Sequence, residues 1–194
     1  MFFSGLKQKF FLRFNILRFN KKGVVYGHNC RVFNEIFLHK GAGATTIVIG
    51  NDFLCKSGDG LNPLSRNLKS SIYVENNARL IIGDNVGVSS LCIWSSDFVK
   101  IGNNVLIGAD ACIIDSDCHS LNYELRRIPQ KDQANKVNKG ITIGDDVFIG
   151  MKSLILKGVT LGDRCVVAAG SVVTKSFPSD CIIGGNPAKI IRKC

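Results

Sequence analysis

Three histidines, His28, His39 and His119, and eight cysteines, at 30, 55, 92, 112, 118, 165, 181 and 194, are the side chains best suited to chemistry. An imidazole, with an ordinary pKa of about 6.5, can accept a hydroxyl proton at neutral pH. His119 follows Asp115-Ser116-Asp117-Cys118 and opens onto a long polar stretch. A carboxylate could hold its ring in one tautomer. Asp117 lies two residues before His119, on the same side of an extended chain. Asp115 is the rival, and both are turn-forming types. Cys118 beside His119 raises a covalent cysteine–histidine route. Neighbours in a strand point to opposite faces, so Cys118 is expected toward the core and a general-base role for His119 is preferred. No cysteines form a C-x-x-C pair, which argues against a zinc knuckle or a thioredoxin-type site. Several fill slots that elsewhere hold Val, Ala or Ser, as small buried hydrophobes in a reducing cytoplasm would.

What must position these residues is a repeat. From Ile143 a branched aliphatic recurs every six residues: Ile143, Ile149, Ile155, Leu161, Val167 and Val173. A small residue often follows, as at Gly144, Gly150, Gly162 and Ala168, and then Asp or Asn. Ile101, Ile107 and Ile113 keep the same period. A third block starts at Ile82-Gly83-Asp84-Asn85, reaches Val88, and slips by one residue before Ile101. A period of six is neither 3.6 nor 2, so it fits neither a surface helix nor a simple half-buried strand. It fits a short strand and a turn, with three units to an 18-residue triangular coil. Gly-Asp and Gly-Asn are expected at the corners, where positive φ is needed. Coils then stack at about 4.8 Å over a continuous core. Residues 101–118 make one coil and 143–178 make two. Residues 120–140 are polar and aperiodic and read as an external loop, the kind that usually serves function. Residues 56–70 read as a second, looser excursion.

In its repeats and in the segment IIDSDCHSL, the chain resembles the hexapeptide-repeat acyltransferases, strongly over 82–193 and most closely the sugar and polysaccharide O-acetyltransferases. The resemblance implies an all-β fold, a left-handed parallel β-helix, against the usual right-handed crossover rule. It implies an enzyme that moves an acetyl group from acetyl-CoA directly to a sugar or glycan hydroxyl in surface-polysaccharide synthesis, with His119 as general base. Matched residue by residue, AAGSVVTKSFP and GNPAKIIR imply donor binding by Gly150, Ala169, Thr174, Lys175, Lys189 and Arg192. The first two would meet the pantetheine arm through backbone; the other four would meet phosphates. Ser89 stands where the family often has an Asn that orients a substrate; Ser can still donate and accept. A homotrimer with sites between subunits is implied, as is the absence of a metal. Acetylation of an amino-sugar nitrogen and a non-catalytic solenoid are the alternatives. A three-histidine zinc site on this fold is disfavoured, because His28 and His39 fall in the poorly phased part.

The first 22 residues carry six Phe, six Lys or Arg and no acid. Leu6, Phe10, Phe14 and Leu17 lie at roughly helical spacing. A helix there would cap the open end of the coils, lie on an anionic membrane, or do both. The division expected is a basic aromatic cap at 1–22, a β-helix at 23–181 with its loop at 120–140, and a C-terminal tail at 182–194. In the tail Asn186 and Pro187 suggest the start of a helical turn. The formal net charge is +10 over 194 residues, 45% of them hydrophobic. Polyanionic small molecules and a membrane surface fit that charge. Nucleic acid is not expected, since no recognised binding module appears. No apolar run is long enough to span a bilayer, and the start lacks a cleavage site for secretion. A cytoplasmic location is expected, with the inner face of the membrane as the place where residues 1–22 would act.

Overall fold

The computed structural model describes residues 2–58 and 60–194, with side chains from Gly5 onward. A helix, α1 (Phe2–Lys21), precedes six coils of three short strands each. The first coil holds β1 (Val25–Tyr26), β2 (Arg31–Phe33) and β3 (Phe37–Lys40). The second holds β4 (Thr46–Ile49), β5 (Leu54–Lys56) and β6 (Ser71–Val74). The third holds β7 (Arg79–Ile82), β8 (Gly87–Ser89) and β9 (Cys92–Ser95). The fourth holds β10 (Phe98–Ile101), β11 (Leu106–Ile107) and β12 (Cys112–Ile114). Two short helices follow, α2 (Tyr123–Arg126) and α3 (Pro129–Ala134). The fifth coil holds β13 (Ile141–Ile143), β14 (Phe148–Ile149) and β15 (Leu154–Leu156). The sixth holds β16 (Thr160–Leu161), β17 (Val166–Val167) and β18 (Val172–Val173). The chain ends in β19 (Cys181–Gly185) and β20 (Ala188–Lys193).

Strands in like positions pair in parallel and build three faces. The first face runs β1-β4-β7-β10-β13-β16, the second β2-β5-β8-β11-β14-β17-β19-β20, and the third β3-β6-β9-β12-β15-β18. The six-residue aliphatics line the interior. Ile101 pairs with Ile143 and Ile143 with Leu161, and all three are at most 1% exposed. Each such side chain contributes about 2 kcal/mol by burial.

The corners differ from expectation. At the turn from first to second face, positive φ falls on Asn85, Asn104 and Asp146, two residues after the glycine. Glycine is needed there for stacking instead. A Cβ on Gly102 would lie 2.7 Å from the carbonyl oxygen of Gly144 in the next coil. The Asp and Asn between them form a ladder: Asp163 accepts from the backbone N–H of Asp145, and Asp145 from that of Asn103.

The C-terminal tail also differs. No helical turn forms at Pro187. β19 extends the second face beside β17, and β20 folds back antiparallel on β19 across a cis Asn186–Pro187 peptide. Gly185, at φ +100°, turns the chain out of helical geometry. β-Branched Ile182, Ile183, Ile190 and Ile191 suit strands better than one isolated helical turn.

At the other end α1 lies across the edge of the first coil. The Asn15 side-chain amide donates to the carbonyl oxygens of Val32 and Asn34, at 3.0 and 2.8 Å. Arg18 donates to the Ile36 carbonyl at 2.8 Å, and Phe19 is fully buried. Among the described residues no helix is long and apolar enough to cross a membrane.

Candidate active site

β12 delivers the chain to the corner between the third and first faces, where His119 stands. Its ring is 64% exposed, and its Nδ1 lies 2.6 Å from Oδ2 of Asp132. Asp132 sits in the first turn of α3 and is buried. Its other oxygen accepts the Ser120 backbone N–H at 2.7 Å. The hydrogen bond from His119, then that from Ser120, hold the Asp132 carboxyl below its ordinary range. An ionised carboxylate only accepts. Nδ1 therefore carries the ring proton, and Nε2 turns its lone pair toward solvent. Such an arrangement could accept a proton at Nε2, with its tautomer fixed.

The loop supporting this pair is held by hydrogen bonds at both its ends. Arg126 donates to the Ser120 carbonyl at 2.8 Å, and the Asn122 side chain accepts the Glu124 N–H at the start of α2. On its return the loop pairs with the strand exit through an antiparallel bridge of Ser116 with Asn138. The Ser116 hydroxyl donates to Asn138 Oδ1 at 2.6 Å. Lys136 reaches Glu75 at 2.7 Å, both largely buried, and Glu75 also accepts from Trp94 Nε1 at 3.0 Å. Burial pushes the Glu75 carboxyl up. The bonds from Lys136 and Trp94 outweigh it and leave the carboxyl below its ordinary value.

Neither carboxylate expected to orient His119 touches it. Asp117 pairs with Lys157 at 2.8 Å. Asp115 is wholly buried and accepts from the Ser95 hydroxyl and the N–H groups of Ser96, Asp97 and Phe98. The alternation argument fails because the strand ends at Ile114. Beyond it Cys118 takes φ +62°, so residues 117 and 119 no longer share a side. The same turn leaves Cys118 half-buried rather than in the core, and burial raises its thiol. A raised thiol is a poor nucleophile.

The residues assigned to donor binding occupy the last coils. Thr174 and Lys175 are exposed just after β18, at the corner His119 occupies two coils earlier. Two coil steps are about 10 Å. Lys189 and Arg192 are exposed on β20. Ala169 is exposed at the opposite corner, between second and third faces. Gly150 is buried beneath it, and a Cβ there would lie 2.8 Å from the Ala169 Cα. Coil stacking alone therefore requires Gly150 to be small. Ser89 ends β8 on the second face and lies beyond the far end of the third-face strands from His119. His28 pairs with Asp52 at the first corner and His39 stacks on Tyr73, so the three histidines are dispersed.

The hexapeptide repeat of succinyl-transferase matches residues 98–116 and 140–175. A protein of Escherichia coli named as a lipopolysaccharide biosynthesis O-acetyl transferase, WbbJ, is 30% identical over 173 residues, spanning 87% of this chain and 82% of that one. The chain belongs to the hexapeptide-repeat acetyltransferase family. The galactoside O-acetyltransferase of E. coli is 34% identical over 63% of the chain. A hexapeptide-repeat acetyltransferase of Vibrio cholerae, solved with acetyl coenzyme A, superposes with a TM-score of 0.55 at 27% identity, over 92% of this chain and 77% of that one. Other family relatives are matched over less of their length: the chain spans 62%, 43% and 58% of three of them. The parallel faces and these neighbours fit the left-handed β-helix of hexapeptide repeats expected from the resemblance.

Asp132 and Ser120 were not singled out from sequence, nor was the Lys136–Glu75 pair. The available signal was Ile128-Pro129, which marks a helix start with an acid in its first turn.

Proposed function

We propose that the protein transfers an acetyl group from acetyl-CoA to a hydroxyl of a sugar or glycan in surface-polysaccharide synthesis. The observation that carries the reading is the His119–Asp132 pair, with Nε2 open to solvent. Nε2 takes the hydroxyl proton as the oxygen attacks the thioester carbonyl. The tetrahedral intermediate collapses, the C–S bond breaks, and the coenzyme A sulfur leaves with the proton from the imidazolium. Asp132 stabilises that imidazolium and fixes the ring. No cysteine takes part.

Thr174, Lys175, Lys189 and Arg192 suit the donor's phosphates, since all four are exposed polar or basic groups at one end of the coils. Ala169 suits the pantetheine arm; Gly150 would serve it only by letting Ala169 sit close. The working form is a homotrimer. Two features support it. His119 lies on an open surface that needs a second wall. The third face also turns Cys92, Cys112, Leu154 and Val172 outward from parallel strands, and parallel sheets are usually covered on both sides. Ser89, distant from His119 within one chain, would reach a site only from a neighbouring copy. Eight free thiols suit the reducing cytoplasm, where acetyl-CoA is made.

The test is release of free coenzyme A thiol when the purified protein meets acetyl-CoA and a panel of glycans, with amino sugars as a separate arm. Acceptor-dependent release that vanishes in His119→Ala supports the reading. Release only with amino sugars moves the reaction to nitrogen. No release with any acceptor, and no binding of coenzyme A, overturns it.

A further inference from the structure

α1 has two faces, and the coils use only one. At 3.6 residues per turn, Asn15 and Phe19 point one way and Leu6, Phe10, Arg13 and Leu17 point the other. The first pair is buried against the first coil. The second stripe is open: Leu6, Phe10 and Leu17 are 71%, 61% and 66% exposed. Phe14 stacks on Phe10 beside it, with ring centroids 5.8 Å apart. Lys9 and Arg13 border the groove these side chains form. The cap role explains Asn15, Arg18 and Phe19. It does not explain three large apolar side chains held in water beside cations.

We propose that this outer face of α1 is a binding surface for an anionic lipid bilayer. Charge selects the occupant. Residues 1–22 carry six Lys or Arg and no acid, and the first acid in the chain is Glu35. A second copy packed on this stripe would bring Lys9 and Arg13 against their own counterparts, within a chain of net charge +10. Anionic headgroups neutralise them, while Leu6, Phe10 and Leu17 enter the boundary of headgroups and acyl chains. The direction of the face also fits. Asn15 and Arg18 hold α1 by the edge carbonyls of Val32, Asn34 and Ile36, so the opposite stripe points away from the coils. The edge of the first coil lies about 14 Å, three coil steps, from the turn that carries His119, and α1, about 10 Å thick, separates that edge from the membrane. Lys175 and Arg192, at the other end, remain in water.

The experiment uses the full chain and needs no enzymatic activity, so its failure is separate from failure of the proposed reaction. Co-sedimentation is measured with phosphatidylcholine vesicles, with and without phosphatidylglycerol. The protein should sediment with the anionic vesicles, less so as salt rises, and not with the neutral ones. Phe10→Ser with Leu17→Ser, and separately Lys9→Gln with Arg13→Gln, should each reduce binding about tenfold or more. Both pairs are on the open stripe, so thermal melting should match the parent. Absence of binding to anionic vesicles, equal binding to neutral vesicles, or undiminished binding by the Phe10/Leu17 variant would overturn the proposal. So would light scattering in which that variant falls apart into smaller species, because the stripe would then join copies of the chain.

Discussion

At the scale of the residue, the site reduces to one buried carboxylate and one exposed imidazole. On the proposed mechanism no base remains without the ring, so His119→Ala should abolish acetyl transfer while the melting temperature stays close to that of the parent. Asp132→Asn tests positioning. An amide in place of the carboxylate can donate to Nδ1 and favours the other tautomer, with the proton on Nε2. Turnover should fall about 100-fold, with binding of coenzyme A unchanged, and Asp132→Glu should restore part of the loss. Unaltered turnover in Asp132→Asn would remove the orienting role. Because the Asp132 carboxyl titrates below its ordinary value, its protonation should not limit the rate at any pH above about 4. An acid limb of kcat/KM above that pH belongs to another group, and its disappearance or displacement in Asp132→Asn would mark the coupling. Cys118→Ser should keep turnover within about twofold, since burial raises that thiol and disfavours the thiolate.

The element that matters most is the loop at 120–140. Its aperiodic sequence reads as an external loop that serves function and that the stacked core does not need. The contacts argue otherwise. Lys136 and Glu75 are only 10% and 23% exposed, and the loop also supplies Asn138 to Ser116 and Asp132 to Ser120. Lys136→Met leaves a half-desolvated carboxylate without its partner. It should destabilise the protein by about 2 kcal/mol at neutral pH, below the figure for a fully buried pair because Glu75 keeps some water. The pH dependence follows from the direction of the Glu75 shift. Its carboxyl is lower in the folded than in the unfolded state. The stability it brings is therefore present above the unfolded value and lost as pH falls through the folded one. Parent and Lys136→Met melting curves should differ at pH 7 and converge in strong acid. A constant difference across that range would assign the loss to packing. Replacing residues 122–138 with a short Gly-Ser link should lower both turnover and melting temperature.

On the scale of the whole molecule, the residues proposed to bind the donor gather at one end of the coils and the cap at the other. Lys175→Ala with Arg192→Ala should weaken coenzyme A roughly tenfold per lost phosphate contact. A truncated pantetheine thioester should be much less affected; equal loss on both donors would sink the phosphate assignment. If copies meet through the third face, Leu154→Glu should give a folded monomer by light scattering, with little activity. A trimer that survives this change uses another surface.

The sequence by itself determined the solenoid. Ile143, Ile149, Ile155, Leu161, Val167 and Val173 announce it because a repeat makes each core contact a copy of its neighbour. One period therefore encodes both the strand length and the stacking. It also singled out His119, at the point where the period breaks. The partner of His119 was not legible there. Asp117 is close in sequence, yet a left-handed turn at Cys118 carries it to Lys157, and a residue from the loop takes its place. Local spacing governs side-chain direction only while the strand continues. Beyond Ile114, the position of Asp132 depends on how α3 docks and on Lys136 finding Glu75 across the third face. The tail failed in the same way: Asn186-Pro187 reads locally as a helix start, but β19, laid beside β17, offers an open edge, and backbone pairing of β20 with it decides for a strand. Such contacts join residues far apart in the chain, and only the tertiary structure brings them together.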